Sequence, residues 1–242
     1  MCRGDISRYI SKYIYFFYTI YSLFYLKISI IILNMIIDKL TNSSYKLTHS
    51  SNLDILAKIF DIFNIKYTLH VSSLILYNIN SLENFREWRD NLPHPCIDYE
   101  NTLSIFYKLG SIFLYLEKIS FQLSSLDENN MIVVNNDIVI PTNIDNIFSI
   151  EKNQISIETP LNNNKYLSLE LRNKKILPIL TSYKCVYSSL ALFIIDIFLG
   201  IDKNPSKNSL IEKIKVIYST RLYWLIRNLL LDDINECLII NI

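Results

Sequence analysis

Apolar residues recur at helical spacing in several stretches of the chain, and each stretch predicts a helix packed against a core. The first predicted helix can be capped by Ser51 or Asn52. Its apolar face consists of Leu53, Leu56, Ile59, Phe60 and Phe63. A longer helix is predicted over residues 99–119. Its apolar side consists of Leu103, Phe106, Leu109, Phe113 and Leu116.

Strand-like patterns lie between and after these helices. Tyr67, Leu69 and Val71 alternate with polar residues, and the apolar run at 74–77 follows them. A short helix is then expected over residues 81–90, before two prolines end it. Further strands are predicted at residues 131–134, 138–140 and 153–157. The pattern beyond the N-terminus is therefore a mixture of helices and short strands.

The segment 187–199 is apolar on every side, with Asp196 as its charged residue. A helix without a solvated face belongs in the interior of a domain. The alternatives are a generic buried helix and a membrane span, but the segment is shorter than the roughly 20 residues that a span needs. After it, Ser209 and Glu212 form a capping box for one more helix, and Thr220 opens a last one.

The longest hydrophobic run begins at Tyr13 and ends at Ile37, with Lys27 as its only charge. Its length suits a bilayer span, and basic residues precede it, so a retained membrane anchor is one interpretation. No small-residue cleavage site follows, which argues against a removable signal peptide. The other interpretation is that translation starts at Met35 and that the preceding residues are not part of the folded protein.

Composition narrows the classes of function. The chain has 242 residues and a formal net charge of +1, from 24 basic and 23 acidic side chains that are scattered along it. This balance gives no electrostatic case for nucleic acid. The four cysteines lie far apart without a CxxC pair, so neither a zinc site nor a disulfide framework is predicted. The abundance of Ile, Asn, Lys and Tyr is typical of AT-rich coding sequence.

Three segments of the second half follow one another in an order typical of protein kinases. The loop and strand SSLDENNMIVV occupy residues 124–134, YLSLEL occupies 166–171, and an apolar helix covers 186–200. They resemble the catalytic loop with its following strand, the Ala-Pro-Glu segment and the central helix of a kinase C-lobe. Ser189 stands where that helix carries Ser-x-Gly. The chain thus resembles the degenerate kinase-like proteins of large DNA viruses.

The residues on which kinase chemistry depends are missing from the matching positions. A kinase needs a catalytic Asp and, five residues later, an Asn that holds magnesium. If Asn130 is that Asn, the Asp position is Ser125; if Asp127 is the base, the Asn position is Ile132. An Asp-Phe-Gly motif and a Gly-rich loop both need glycines that the chain lacks. The three glycines are Gly4, Gly110 and Gly200.

Glu170 matches the Glu of the kinase Ala-Pro-Glu segment. In kinases this carboxylate pairs with a buried Arg near the end of the domain, and that position resembles Cys237 here. An unpaired buried carboxylate is costly. We therefore expect Glu170 to be exposed or to pair with a new cation, for which Arg227 and Arg172 are the candidates.

The remaining polar residues predict no catalytic, cofactor or metal site. The three histidines lie in separate segments without ligand spacing: His49, His70 and His94. Asp127, Asn130 and Asp145 are the residues from which a substitute magnesium site could be built. We expect no catalytic residue, no cofactor and no metal, with Ser125, Asn130 and Glu170 as remnants of motif positions only.

The predicted fold is mainly α with small β elements, an α+β chain built as a kinase C-lobe-like helical domain whose N-lobe is absent or reduced. Residues 1–37 form the hydrophobic N-terminal segment, residues 38–81 a reduced N-terminal α/β part, and residues 82–242 the helical domain. No Val-Ala-x-Lys sequence marks a nucleotide-binding lysine.

The function expected from this resemblance is that of a catalytically inactive kinase-like protein, acting as a protein-interaction or regulatory module. Its protein partner is unknown, and nucleic acid is not expected as a partner. One alternative is a membrane-tethered structural or interaction protein unrelated to kinases, associated with membranes through the run from Tyr13 to Ile37. Another is an unorthodox protein kinase. A viral origin would place the protein in the host cytoplasm or the virion.

Overall fold

The computed structural model describes residues 35–231, except 50, 52, 95, 162, 163, 175, 203 and 204. Most of the predicted membrane anchor and the Cys237 position therefore lie outside the described residues. Ile36 and Ile37, the end of the hydrophobic run, lie in the first strand. Within the described ranges, no helix combines the length and the apolar character that crossing a membrane requires.

The first part of the described chain is a four-stranded antiparallel sheet with one helix. Its elements are β1 (Ile36–Thr41), β2 (Ser44–Thr48), α1 (Asp54–Ile62), β3 (Lys66–Leu69) and β4 (Ser73–Tyr77). The strand order is β1-β2-β4-β3, so α1 connects β2 to the opposite edge of the sheet. Leu47 of β2 pairs with Leu74 of β4, and both are fully buried. Alternate residues of these strands thus supply part of the core.

The middle of the chain combines two helices with two small sheets. Its elements are β5 (Leu82–Asn84), α2 (Phe85–Asp90), α3 (Tyr99–Lys118), β6 (Phe121–Leu123), β7 (Met131–Val134), β8 (Ile138–Pro141) and β9 (Ile147–Ser149). One sheet has the order β5-β7-β8, and β6 pairs with β9 in the other. Both sheets are antiparallel. The loop between β6 and β7 is therefore fixed at both ends by strands.

The last part is mainly helical. Its elements are β10 (Gln154–Ile157), α4 (Leu169–Arg172), β11 (Ile179–Ser182), α5 (Cys185–Leu199), α6 (Lys207–Ile214) and α7 (Arg221–Leu229). β10 and β11 form an antiparallel pair. The side chains of α5 from Leu190 to Ile197 are all buried, and α3 and α7 both pack against this helix. The prediction of a central apolar helix is confirmed.

The prediction of a mainly helical fold with an absent or reduced N-lobe is wrong. The described chain is an α+β fold with 42% helix and 24% strand in four small sheets. The whole first sheet lies in the part that was expected to be reduced. Periodicity missed β1 because it begins inside the N-terminal apolar run, and β5, β6 and β9 because three residues are too few to show alternation.

Three predicted helix starts are also wrong. Residues 81–84 were expected to be helical, but Leu82 and Asn84 pair with β7, and Asn84 caps α2 instead. The helix α1 begins after Leu53 and has no side-chain cap. The helix α6 is capped by Ser206, and the backbone N–H of Ser209 is a donor to that cap at 3.2 Å. The predicted start of the last helix at Thr220 is confirmed.

Candidate functional site

The loop between β6 and β7, residues 124–130, is anchored on the central helix α5. The backbone N–H of Leu126 donates to the Ser189 hydroxyl at 2.8 Å. The thiol of Cys185 donates to the carbonyl oxygen of Ser124 at 3.4 Å, and burial raises the pKa of this thiol, so it stays protonated. Ser124, Cys185 and Ser189 are fully buried, so these bonds attach the loop to the core.

The carboxylate of Asp127 accepts hydrogen bonds from residues of its own loop. It caps the 3-10 turn Glu128–Asn130 by accepting the backbone N–H of Asn129 at 3.0 Å. It also accepts the side-chain amides of Asn129 at 3.1 Å and of Asn130 at 3.3 Å. Both carboxylate oxygens are therefore bound by neighbours within three residues, as in an N-cap.

The two remnant positions in this loop differ in exposure. Ser125 is buried, so the register that takes Asn130 as the magnesium ligand places a buried hydroxyl where a kinase would need an accessible base. Asn130 is half-buried, and its backbone carbonyl accepts the N–H of Thr142 at 2.8 Å. The end of the loop is thereby tied to the residue that follows β8.

Beside the loop, three side chains contact the carboxylate of Asp196, and the carboxylate of Glu128 contacts the same three. We call these residues the Asp196 cluster: Arg89, Glu128, Lys165, Tyr166 and Asp196. Its Oδ2 lies 2.8 Å from Arg89 Nη1 and 2.8 Å from Lys165 Nζ. The Tyr166 hydroxyl donates to the same oxygen at 2.7 Å. The second oxygen, Oδ1, accepts the backbone N–H of Ile201 at 3.1 Å.

Glu128 is the second carboxylate of the Asp196 cluster. Its Oε2 lies 3.6 Å from Arg89 Nη1, 3.5 Å from Lys165 Nζ and 3.0 Å from the Tyr166 hydroxyl. Two cations thus face two carboxylates in a partly buried space, and the formal charges balance. The cluster joins α2, the 124–130 loop, the segment before α4 and the central helix α5.

Proton affinities in the Asp196 cluster reflect these contacts. Burial alone would raise the pKa of Asp196, but hydrogen bonds from Lys165, Tyr166 and Arg89 outweigh it and lower that pKa. Burial would lower the pKa of Arg89, but its bond to Asp196 outweighs this and raises it. Burial and the two neighbouring carboxylates raise the pKa of Tyr166, so its hydroxyl remains a donor. These contacts therefore favour the charged forms of Asp196 and Arg89.

Glu170 pairs with Lys174 and not with Arg172 or Arg227, the two arginines expected. Its Oε1 lies 2.8 Å from Lys174 Nζ and accepts the Thr181 hydroxyl at 2.6 Å. Arg172 instead donates to backbone carbonyls, among them Leu167 at 2.9 Å. Arg227 lies over the ring of Trp224. Lys174 lies two residues beyond the end of α4, and its ammonium group contacts both the Glu170 carboxylate and the backbone carbonyl of Leu180 at 3.0 Å.

Asp145, a candidate for a substitute magnesium site, belongs to a different set of contacts. Its carboxylate accepts the hydroxyl of Ser51 and lies 3.9 Å from Nε2 of the buried His49. This contact joins the end of the first sheet to the turn before β9. In the described ranges, no three His, Cys, Asp or Glu side chains are grouped as metal ligands. His70 and His94 are exposed in separate loops.

Sequence reasoning missed Arg89, Lys165 and Tyr166 as partners of one site. They lie far from Asp196 along the chain, and although Tyr166 begins the YLSLEL segment, that segment pointed only to Glu170. The available signal was Asp196 itself, because a lone acid in an otherwise apolar helix must be paired once the helix is buried. That signal predicts cations nearby but cannot name them.

Comparisons with known proteins assign no family. No protein-family model matches this sequence, and a search of curated proteins finds no significant match.

Proposed function

We propose that the protein is a noncatalytic, kinase-like interaction module. The observation that carries this proposal is the state of the 124–130 loop, which stands where the sequence resembles a catalytic loop. The loop is bonded to the central helix through Leu126 and Ser124, whereas its acids are engaged in local structure. An anchored loop without a free base suits a scaffold that holds a shape for binding.

The two acids of the loop support this proposal in different ways. Asp127 accepts three hydrogen bonds from Asn129 and Asn130, which hold its carboxylate against its own loop and leave it poorly oriented to accept a substrate proton. The Glu128 carboxylate is paired with Arg89 and Lys165 within the Asp196 cluster. Phosphoryl transfer depends on oriented acids and metal ions at the transferred group.

The first sheet supports the same proposal. In active kinases a strand lysine pairs with a glutamate of the adjacent helix to hold the nucleotide phosphates. The helix beside this sheet, α1, contains no glutamate. Its Asp61 accepts the Tyr67 hydroxyl at 3.0 Å. The sheet and its helix therefore offer a packed surface and lack the residue pair that phosphate binding would use.

Phosphoryl transfer tests this proposal. The full-length protein is incubated with magnesium, γ-labelled ATP and either itself or a generic protein substrate, and the labelled phosphate in each protein is measured. We expect no incorporation above that of a heat-denatured sample. Incorporation that disappears in Asp127→Ala would contradict the proposal and identify an unorthodox kinase. An Asp38→Ala variant, altered in the exposed strand β1, is the matched control.

A further inference from the structure

An exposed aromatic group lies on α7 and the turn before it. Tyr218 is 58% exposed and Trp224 is 47% exposed, and their ring centroids are 5.9 Å apart. The buried Tyr223 packs edge-on against Trp224 at 5.1 Å and supports this ring from the core side. Single exposed apolar residues are ordinary on a protein surface, whereas adjoining exposed rings are typical of a surface that another molecule covers.

Two arginines flank Trp224 on the exposed side of α7. Every third residue of this helix is exposed, namely Arg221, Trp224 and Arg227, and the opposite side packs against α5. The guanidinium of Arg227 lies over the Trp224 ring at 5.5 Å, and that of Arg221 lies over the ring of Tyr107 in α3 at 4.9 Å. We call Tyr218, Arg221, Trp224 and Arg227 the Trp224 face.

The two guanidinium groups are held in position without an acid to balance them. A guanidinium placed over a ring keeps N–H donors at its edge, where they match the geometry of a carboxylate. Among the described residues, no carboxylate forms an ion pair with Arg221 or Arg227. Because both side chains are already ordered by their rings, binding a carboxylate there costs little further conformational entropy.

The chemistry of the Trp224 face suits a protein partner better than nucleic acid or lipid. Trp, Tyr and Arg are the residue types enriched in the energetically dominant positions of protein interfaces. Binding to nucleic acid through phosphates commonly uses about six to ten cationic contacts, and this face offers two arginines. A helix that lies in a membrane surface presents a wide apolar side, whereas the exposed side of α7 places a single ring between two charges.

We propose that the Trp224 face is the docking surface of the interaction module. Its partner is an acidic segment of another protein that carries an aromatic or aliphatic residue between two acids. Arg221 and Arg227 are six residues apart, which is about 9 Å along α7 at 1.5 Å per residue. An extended peptide covers this distance in about three residues. Acids three or four positions apart therefore match both guanidinium groups, and the side chain between them packs on Trp224.

This docking surface rests on the proposed interaction role, but the contacts of α7 are independent of the 124–130 loop. Phosphate incorporation would contradict the noncatalytic role and leave peptide binding at α7 unaffected. A failure of peptide binding would remove the docking surface and leave the noncatalytic loop in place. The two failures are therefore distinguishable.

Peptide selection by the full-length protein tests the proposal. A library of random twelve-residue peptides displayed on phage is selected on the immobilised wild-type protein. We expect enrichment of peptides in which two acids stand three or four positions apart with an aromatic or aliphatic residue between them. No enrichment, or enrichment of peptides without acids, would overturn the proposal.

Variants of the Trp224 face then locate the binding site. An enriched peptide is synthesised with a fluorescent label, and its affinity for each variant is measured by anisotropy. Arg221→Glu/Arg227→Glu and, separately, Trp224→Ala should each weaken binding at least about tenfold. The same peptide with its acids replaced by lysine should bind Arg221→Glu/Arg227→Glu more tightly than it binds the wild type, because the charges are exchanged.

Matched controls carry equivalent changes on exposed residues elsewhere in the fold. Lys58→Glu/Lys66→Glu changes the net charge by the same amount in α1 and β3, and Tyr77→Ala removes a partly exposed ring from β4. Both control proteins should bind the peptide as the wild type does. An equal loss of affinity in the controls and in the variants of the Trp224 face would contradict the proposal.

Other occupants of the Trp224 face would give different results. A second copy of the chain would make the wild type dimeric in sedimentation equilibrium and Arg221→Glu/Arg227→Glu monomeric. If the occupant were nucleic acid or a membrane, a labelled single-stranded RNA, or vesicles of phosphatidylcholine and phosphatidylserine, would bind the wild type and not this variant. We expect none of these results, and any of them would reassign the face and overturn the proposal.

Discussion

Arg89 and Asp196 are joined by an ion pair of 2.8 Å although 107 residues separate them in the sequence. The pair connects the short helix α2 to the buried central helix α5. Asp196 is almost fully buried, and Arg89 also donates to its backbone carbonyl at 3.3 Å. The Asp196 cluster is therefore a clamp between two parts of the fold, and its integrity should decide stability.

Replacing the central acid tests this clamp. Asp196→Asn leaves two cations facing one carboxylate, and breaking a buried pair in this way should lower the free energy of unfolding by about 3 kcal/mol. Chemical denaturation of the two proteins measures the change. Asp202→Asn, in an exposed position nearby, is the control and should alter stability by less than about 0.5 kcal/mol. Equal effects of the two substitutions would show that the cluster contributes no net stability.

The difference in unfolding free energy between wild type and Asp196→Asn should depend on pH. Because the folded-state pKa of Asp196 is lowered, its contribution is present above the ordinary aspartate pKa and is lost as the pH falls through the folded value. The difference in unfolding free energy between wild type and Asp196→Asn should therefore shrink on acidification. A difference that stays constant from neutral to strongly acidic pH would contradict the ionised cluster.

Glu117 should show the opposite dependence. Burial raises its pKa and outweighs the hydrogen bonds from Tyr187 and Gln122 and the charge of Lys184. A raised folded-state pKa contributes stability at low pH that is lost as the pH rises through that value. Relative to Glu117→Gln, the wild type should therefore lose stability as the pH rises from below the ordinary glutamate pKa through the raised folded-state value. Denaturation curves over this range measure it, and the exposed Glu151→Gln should show no such trend.

The anchor of the 124–130 loop gives a further prediction. Ser189→Ala removes the acceptor of the Leu126 N–H, and an unsatisfied buried donor costs about 1–3 kcal/mol. Hydrogen exchange at the Leu126 amide should accelerate more than exchange elsewhere in the loop. Ser188→Ala changes the neighbouring, half-buried serine and should leave this amide unchanged. Unaltered exchange in Ser189→Ala would mean that the loop is held without α5.

The parts of the fold that could be predicted from the sequence are those whose sequence pattern is local. The helix α3 was predictable because its apolar positions repeat over many residues, and α5 was predictable because it is apolar on every side. The Thr220 cap was predictable because a cap and its amide lie three residues apart. By contrast, β5 and β6 are three residues long and exist through pairing with distant strands, which no local pattern encodes.

The candidate site shows the same division. The absence of glycines from the kinase motif positions is a property of the sequence and needed no structure. The pairing of Glu170 was predicted with the wrong cations. Lys174, just after the end of α4, pairs with Glu170, and only the fold shows that Arg172 donates to backbone carbonyls instead. The contact of Lys165 with Asp196 depends on the path that the chain takes between β10 and α4. Such contacts are tertiary, and a single sequence does not contain them.

The loop beside the Asp196 cluster also makes the proposed lack of catalysis directly measurable. The central claim is that residues 124–130 form a structural anchor and not a magnesium–nucleotide site. The measurement is the thermal unfolding midpoint of the full-length protein with and without magnesium and ATP, compared with Asp127→Ala and Asp145→Ala. We predict no magnesium-dependent rise in the midpoint of the wild type. A clear rise that requires magnesium and is lost in either variant would contradict the claim, because a ligand that binds the folded state must stabilise it.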